Sequence, residues 1–180
     1  MTDVTITYVR GNQYVENTYT PTVKELTALG EDLPKTGERI KSRTAHGLLG
    51  ELWVHGLQFE TIERMDNMMA MEGNRSYPLS SMYYMEHYST FVMNPWLGLA
   101  VEKVQKNILF HPASVPSEIR GCVGVGFRNG GRLEDGVWSL MAIYEQIGGR
   151  TRDTTSKKTF TLRIEGQMKA LRDCTKAPGG

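Results

Sequence analysis

The spacing of apolar residues changes part-way along this chain, and that change restricts the reachable folds more than any motif does. Leu48, Leu52, Phe59, Ile62, Met65 and Met69 step by three, four or seven residues, the stripe of an amphipathic helix. Gly47, Gly50 and Gly56 interrupt the stripe, each at about 1 kcal/mol relative to alanine, and mark a kink or a close backbone approach. Gly73-Asn74 reads as its end. Tyr84, Tyr88 and Phe91, with Met85 beside them, place a second helix over Leu79 to Met93. Asn94 as cap and Pro95 at the first helical position open a third, carried by Leu97, Val101, Val104 and Ile108 to about Phe110. Beyond Pro112 and Pro116 the period falls to two. Ile119, Val123, Val125 and Phe127 share one strand face, and Arg120, Cys122 and Arg128 the other. Asn129-Gly130 is a tight-turn signal, and Phe160, Leu162 and Ile164 alternate as a later strand. Val137, Leu140, Met141 and Tyr144 fit a helix as well as a strand buried on both faces, and the strand is the favoured reading. Met168 and Leu171 predict a short terminal helix.

Ahead of the helical stretch, Val4, Ile6 and Tyr8 alternate with Thr5, Thr7 and Val9, and Tyr14 and Val15 resume a β-rich run after Gly11-Asn12. This predicts a hairpin. Thr20-Pro21-Thr22 ends it, and Val23, Leu26 and Leu29 predict a short helix stopped by Gly30. The expected fold is therefore α+β, with an N-terminal β-hairpin, a helical middle and a C-terminal antiparallel sheet with a short terminal helix. One domain over residues 1–180 is expected: a hairpin or arm to 20, a mainly helical part over 21–112 and a mainly β part over 113–180.

Charge is close to balanced, at +1 overall, so no global electrostatic partner is indicated. The distribution is less even. From Arg150 to Gly180 there are eight basic and three acidic residues, a net of +5, which leaves −4 on residues 1–149. Arg150, Arg152, Lys157, Lys158, Lys169 and Arg172 form a candidate basic patch, with Arg163 and Lys176 nearby. A contact with an acidic protein or with nucleic acid through 150–176 would be salt-dependent, yet Phe160 is the sole aromatic of the segment, which leaves base stacking without support. No apolar run approaches the roughly 20 residues of a membrane span, and no secretory leader opens the sequence. A cytoplasmic or particle-associated location is expected. Cys122 and Cys174 lie in no CxxC, and two free thiols are the default expectation.

Several motifs fail on inspection. Gly124-x-Gly126-x-x-x-Gly130 misses the dinucleotide spacing by one residue and lies in a strand and its turn, where no helix N-terminus is predicted to take a phosphate. His46 and His55 are nine residues apart, on opposite faces of a straight helix, so His46, Glu51 and His55 make no metal set on one. No cofactor or metal is expected. Cys122 shares a strand face with two arginines that would lower its pKa, but no base lies near it in sequence. Glu134-Asp135 beside Gly136 reads as a turn.

What stands out is compositional. Seven of ten methionines fall between Met65 and Met93, interleaved with tyrosines. Met and Tyr are common at adaptable interfaces, so Met82, Tyr84, Met85, Tyr88 and Phe91 are candidate interface residues. The expected function is a non-enzymatic structural or adaptor subunit, acting by self-association or docking in a larger assembly. Its sharpest version is a virus or phage particle component. Two alternatives are carried: a small envelope or adaptor domain that binds a partner by β-addition, and an enzyme whose site gathers His46, Glu51, His55 and Cys122 from distant positions.

Overall fold

The computed structural model describes residues 4–65, 71–84, 90–95, 109–119, 122–149 and 159–179. Its strands are β1 (Thr5–Tyr19), β2 (Arg43–Val54), β3 (Leu57–Arg64), β4 (Arg75–Tyr84), β5 (Thr90–Pro95), β6 (Phe110–Pro112), β7 (Val123–Asn129), β8 (Arg132–Glu134), β9 (Thr159–Glu165) and β10 (Thr175–Lys176). Among the described residues two α-helices accompany them, α1 (Val23–Ala28) and α2 (Gly136–Gln146). The sheet order is β10-β1-β2-β3-β7-β6-β5-β4-β9, with β8 hung on β7. A further pairing of β1 with β9 returns the order to its start, so eight strands close into a barrel. Most neighbours are antiparallel, but β1–β9, β1–β10 and β6–β7 are parallel. Strands β5 and β6 meet through a single register pair, Met93 with Phe110.

This overturns the α+β layout with a helical middle. The stretch of Leu48, Leu52, Phe59 and Ile62 is the β2–β3 hairpin, turning at His55 and Gly56, both with positive φ. A step of four is also two strand periods. Leu48 and Leu52 therefore share a strand face with Val54, and all three are buried. Phe59 also points inward, while Ile62 faces a second apolar cluster outside the barrel. Burial on both faces removes the clean alternation that marks a half-exposed strand. Gly50 is a close-approach glycine rather than a kink: a Cβ there would meet the Val9 carbonyl oxygen at 2.6 Å.

The second predicted helix is the β4–β5 pair, with Met82 opposite Val92 and Tyr83 opposite Phe91. Asn94 and Pro95 lie in β5, paired with Ser80 and Leu79. The rest of the third predicted helix, 96–108, lies outside the described residues. The N-terminal hairpin is instead one strand of 15 residues, with a bulge between Arg10 and Tyr14 where Gly11-Asn12 was read as a turn. The C-terminal sheet is mixed rather than antiparallel. The segment at 137–144 is helix α2, and the expected terminal helix is only a 3₁₀ turn, Leu171–Asp173. Helix α1, the Asn129-Gly130 turn and strand β9 form where the sequence placed them. In α1, Thr22 and Glu25 make a reciprocal capping box.

The barrel interior holds Ile6, Tyr8, Leu52, Phe59, Phe110, Val125, Leu162 and Ile164, and α2 adds Leu140, Ile143 and Tyr144 to the same core. A polar cluster interrupts it. Glu63 accepts from the Tyr8 hydroxyl at 2.6 Å and from Arg10 Nη2 at 2.7 Å. Arg10 also donates to the carbonyls of Met71 and Gly166. Both charged side chains are buried. Burial, with the Glu63 charge added, pushes the Tyr8 hydroxyl well above the usual tyrosine range, so it stays a donor. A second cluster, with Val15, Ile62, Ile119, Cys122 and Leu133, lies on the outer face of the sheet. The segment 113–119 covers it and is pinned by two hydrogen bonds between Asn17 and Ser117.

Removing one member of the buried pair leaves the other charge uncompensated. Glu63→Ala is expected to cost about 3–5 kcal/mol, whereas Arg10→Met with Glu63→Leu costs far less. Urea unfolding of the two variants checks this; a loss of under about 1 kcal/mol for Glu63→Ala would contradict a buried pair.

Candidate functional site: the groove beside the second helix

Helix α2 starts against the barrel wall because Gly136 allows it. A Cβ at that position would meet the Val125 carbonyl oxygen at 2.7 Å and Pro112 Cα at 2.9 Å. The residue before it, Asp135, takes a left-handed φ of 54° and makes no side-chain capping bond; its carbonyl accepts from the Ser139 amide and hydroxyl instead. On the other side, β8 is tied to the covering segment by the Leu133 amide, which donates to the Ser114 carbonyl at 2.9 Å. Between these parts runs an open groove of about 730 Å³.

The groove has two kinds of lining. Val137, Trp138 and Met141 supply apolar side chains. Trp138 is 64 % exposed, a large apolar side chain left in water. It leans on Phe127 at 6.2 Å between ring centroids, and Phe127 on buried Phe59 at 5.6 Å, so an aromatic ladder runs from core to surface. Glu118, Glu134 and Asp135 also line the groove, and Glu145 stands on the helix that carries Trp138 and Met141. Glu118 holds the Ser114 amide at 2.7 Å. None of the described lining residues is Lys or Arg. Among the described residues no three His, Cys, Asp or Glu side chains form a set able to hold a metal ion.

The residues singled out from sequence fall elsewhere. Met82 and Tyr84 stand on β4 and Phe91 on β5, so they belong to paired strands rather than one helical face; Met85 and Tyr88 lie outside the described residues. Arg150, Arg152, Lys157 and Lys158 also lie outside them. Lys169 donates to the Gly11 carbonyl at 2.6 Å, and exposed Arg172 lies beside Asp173. The four dispersed catalytic candidates each keep a different neighbour: His46 pairs with Glu16, Glu51 accepts from the Trp53 indole, His55 faces Gln146, and the Cys122 thiol accepts from the Leu109 amide. The expectation that arginines lower the Cys122 pKa is not met: burial pushes the thiol up, and the Leu109 amide offsets this only in part.

One residue missed from sequence is His111. The parallel β6–β7 register sets it opposite Gly124, on the outward face that also carries Cys122. Its Nδ1 lies 2.8 Å from the Pro112 carbonyl oxygen. Burial lowers its pKa, and the Pro112 carbonyl and Glu118 oppose the shift without reversing it. Nothing in the local sequence signals this pairing, since it depends on two strands meeting across a loop. Nor did sequence find the groove: Glu134-Asp135 was read as a turn, and the exposure of Trp138 is a property of the fold. In comparisons with known proteins, the chain matches no family model, no curated protein and no solved structure.

A histidine kept neutral by the fold but charged in the unfolded chain costs stability in acid. The His111 contribution is present above about pH 6.5, the ordinary imidazole value, and is lost as pH falls below it. Thermal unfolding between pH 7.5 and 5 is expected to show this slope in the wild type and a weaker one in His111→Gln; equal slopes would remove His111 from the account.

Proposed function

We propose that this chain is a non-enzymatic structural or adaptor subunit that works by self-association or by docking in a larger assembly, with the α2 corner as its contact surface. The observation that carries the reading is Trp138, exposed at the mouth of the groove and braced by Phe127. Exposed aromatic side chains on a rigid base are the usual anchors of protein interfaces. Phe127 and Val137, at 36 % and 44 % exposure, widen the apolar surface around it. Among the described residues no helix is long and apolar enough to cross a membrane, so docking through such a helix receives no support.

Light scattering at about 0.15 M and 1 M salt tests the reading. A native mass above 20.3 kDa is expected, falling toward 20.3 kDa in Trp138→Ser while circular dichroism stays unchanged. Persistence at high salt would mark an apolar contact, and dissociation an electrostatic one. A wild-type mass of 20.3 kDa at both salts would overturn self-association.

A second reading, an enzyme built on a thiol, is favoured by one observation: Cys122 and His111 share a face on adjacent parallel strands. Strand spacing sets their Cα atoms roughly 8 Å apart. Burial holds the thiol protonated, which weighs against it. Under this reading Cys122 alkylation at neutral pH slows at least about tenfold in His111→Ala; an unchanged rate would dismiss the pair.

A further inference from the structure

We propose that the α2 groove takes a cationic chain segment of a partner protein, with an Arg or Lys side chain between the carboxylates and an apolar neighbour against Trp138. This rests on the docking reading above and names the chemistry of the occupant. The groove is large enough for a few side chains, at about 730 Å³, and too open for a small molecule to be enclosed. Its apolar residues call for an apolar contact, and Trp138, 64 % exposed, carries the strongest cation–π acceptor among side chains.

Charge decides the rest. Glu118, Glu134, Asp135 and Glu145 line the groove, and no Lys or Arg does so among the described residues. An anionic peptide or a nucleic-acid backbone would meet like charge on entry. A helix start ordinarily recruits a carboxylate to cap its free amides. Asp135 occupies that position without making the bond, and its left-handed φ of 54° is one that Asp adopts more readily than most residues. Among the described residues the carboxylates do not gather as a metal-ligand set. Glu118 comes from the covering segment, Glu134 from β8 and Glu145 from α2, and charges from separate elements suit an extended cationic segment.

The test uses the full chain labelled with ¹⁵N and a capped peptide of alternating leucine and arginine. The Trp138 indole signal is identified by its absence in Trp138→Phe. Saturable movement of that signal is expected, weakened about tenfold when citrulline replaces arginine, and weakened similarly in the double variant Glu134→Gln, Asp135→Asn. A control peptide of alternating leucine and glutamate is expected to leave the signal in place. No movement with the arginine peptide up to millimolar concentration, or equal binding of the citrulline peptide, would overturn the inference. If Trp138→Ser still lowers the native mass while the arginine peptide does not bind, the docking reading stands and only the cationic occupant falls. If the peptide binds but the mass never depends on Trp138, self-association falls and the groove chemistry stands.

Discussion

The parallel pairing of β1 with β9 is the contact on which the rest of the barrel depends. Strand β1 serves three neighbours at once: all of β2 on one edge, and β9 then β10 on the other. Its 15 residues are long enough to do so, and the bulge at Arg10–Tyr14 lets the strand turn between the two partners on its second edge. Without closure, β1 and β9 would each present a row of unpaired backbone groups to water. With it, inward side chains of β1, β2, β3, β4, β6, β7 and β9 meet in one core, and α2 has a surface to pack on.

Closure also explains the polar cluster. Tyr8 and Arg10 are inward residues of β1, and Glu63 is an inward residue of β3, two strands away. The salt bridge therefore reaches over β2 along the inner face of the sheet. Four donor contacts from Arg10 reach Glu63 and two backbone carbonyls, so almost the whole guanidinium is satisfied without water. Such a pair adds little net stability over apolar packing but penalises arrangements in which its members do not meet. In this barrel it links β1 and β3 across β2.

The sequence was legible where one face of an element meets water, and misleading where neither does. Strand β9 alternates Phe160, Leu162 and Ile164 against polar neighbours, and it was placed correctly. Helix α1 announced itself through Thr22, Glu25 and Gly30. Strands β2 and β3 lie between the barrel core and the outer cluster, so apolar residues fall on both faces and the period of two dissolves. Leu48 and Leu52 then look helical because four is a multiple of two as well as one turn. The reverse error befell α2, whose Val137, Leu140, Met141 and Tyr144 were given to a strand although their spacing fits one helical face. The candidate site was less legible still. Its carboxylates come from a 3₁₀ turn, a short strand and both ends of a helix, and its exposed tryptophan has no local signature.

The distance along the chain between β1 and β9 has a consequence for the protein's making. Thr5 pairs with Thr161, so a ribosome adds some 156 residues between the two. At about 5–20 residues per second this takes roughly 8–30 s. For that interval β1 can zip to β2 but its other edge waits, and so does the inner face of every strand between. The nascent chain thus passes through a long period as an open, sticky sheet, and its yield in a cell is governed by what shields that edge before the last staves arrive.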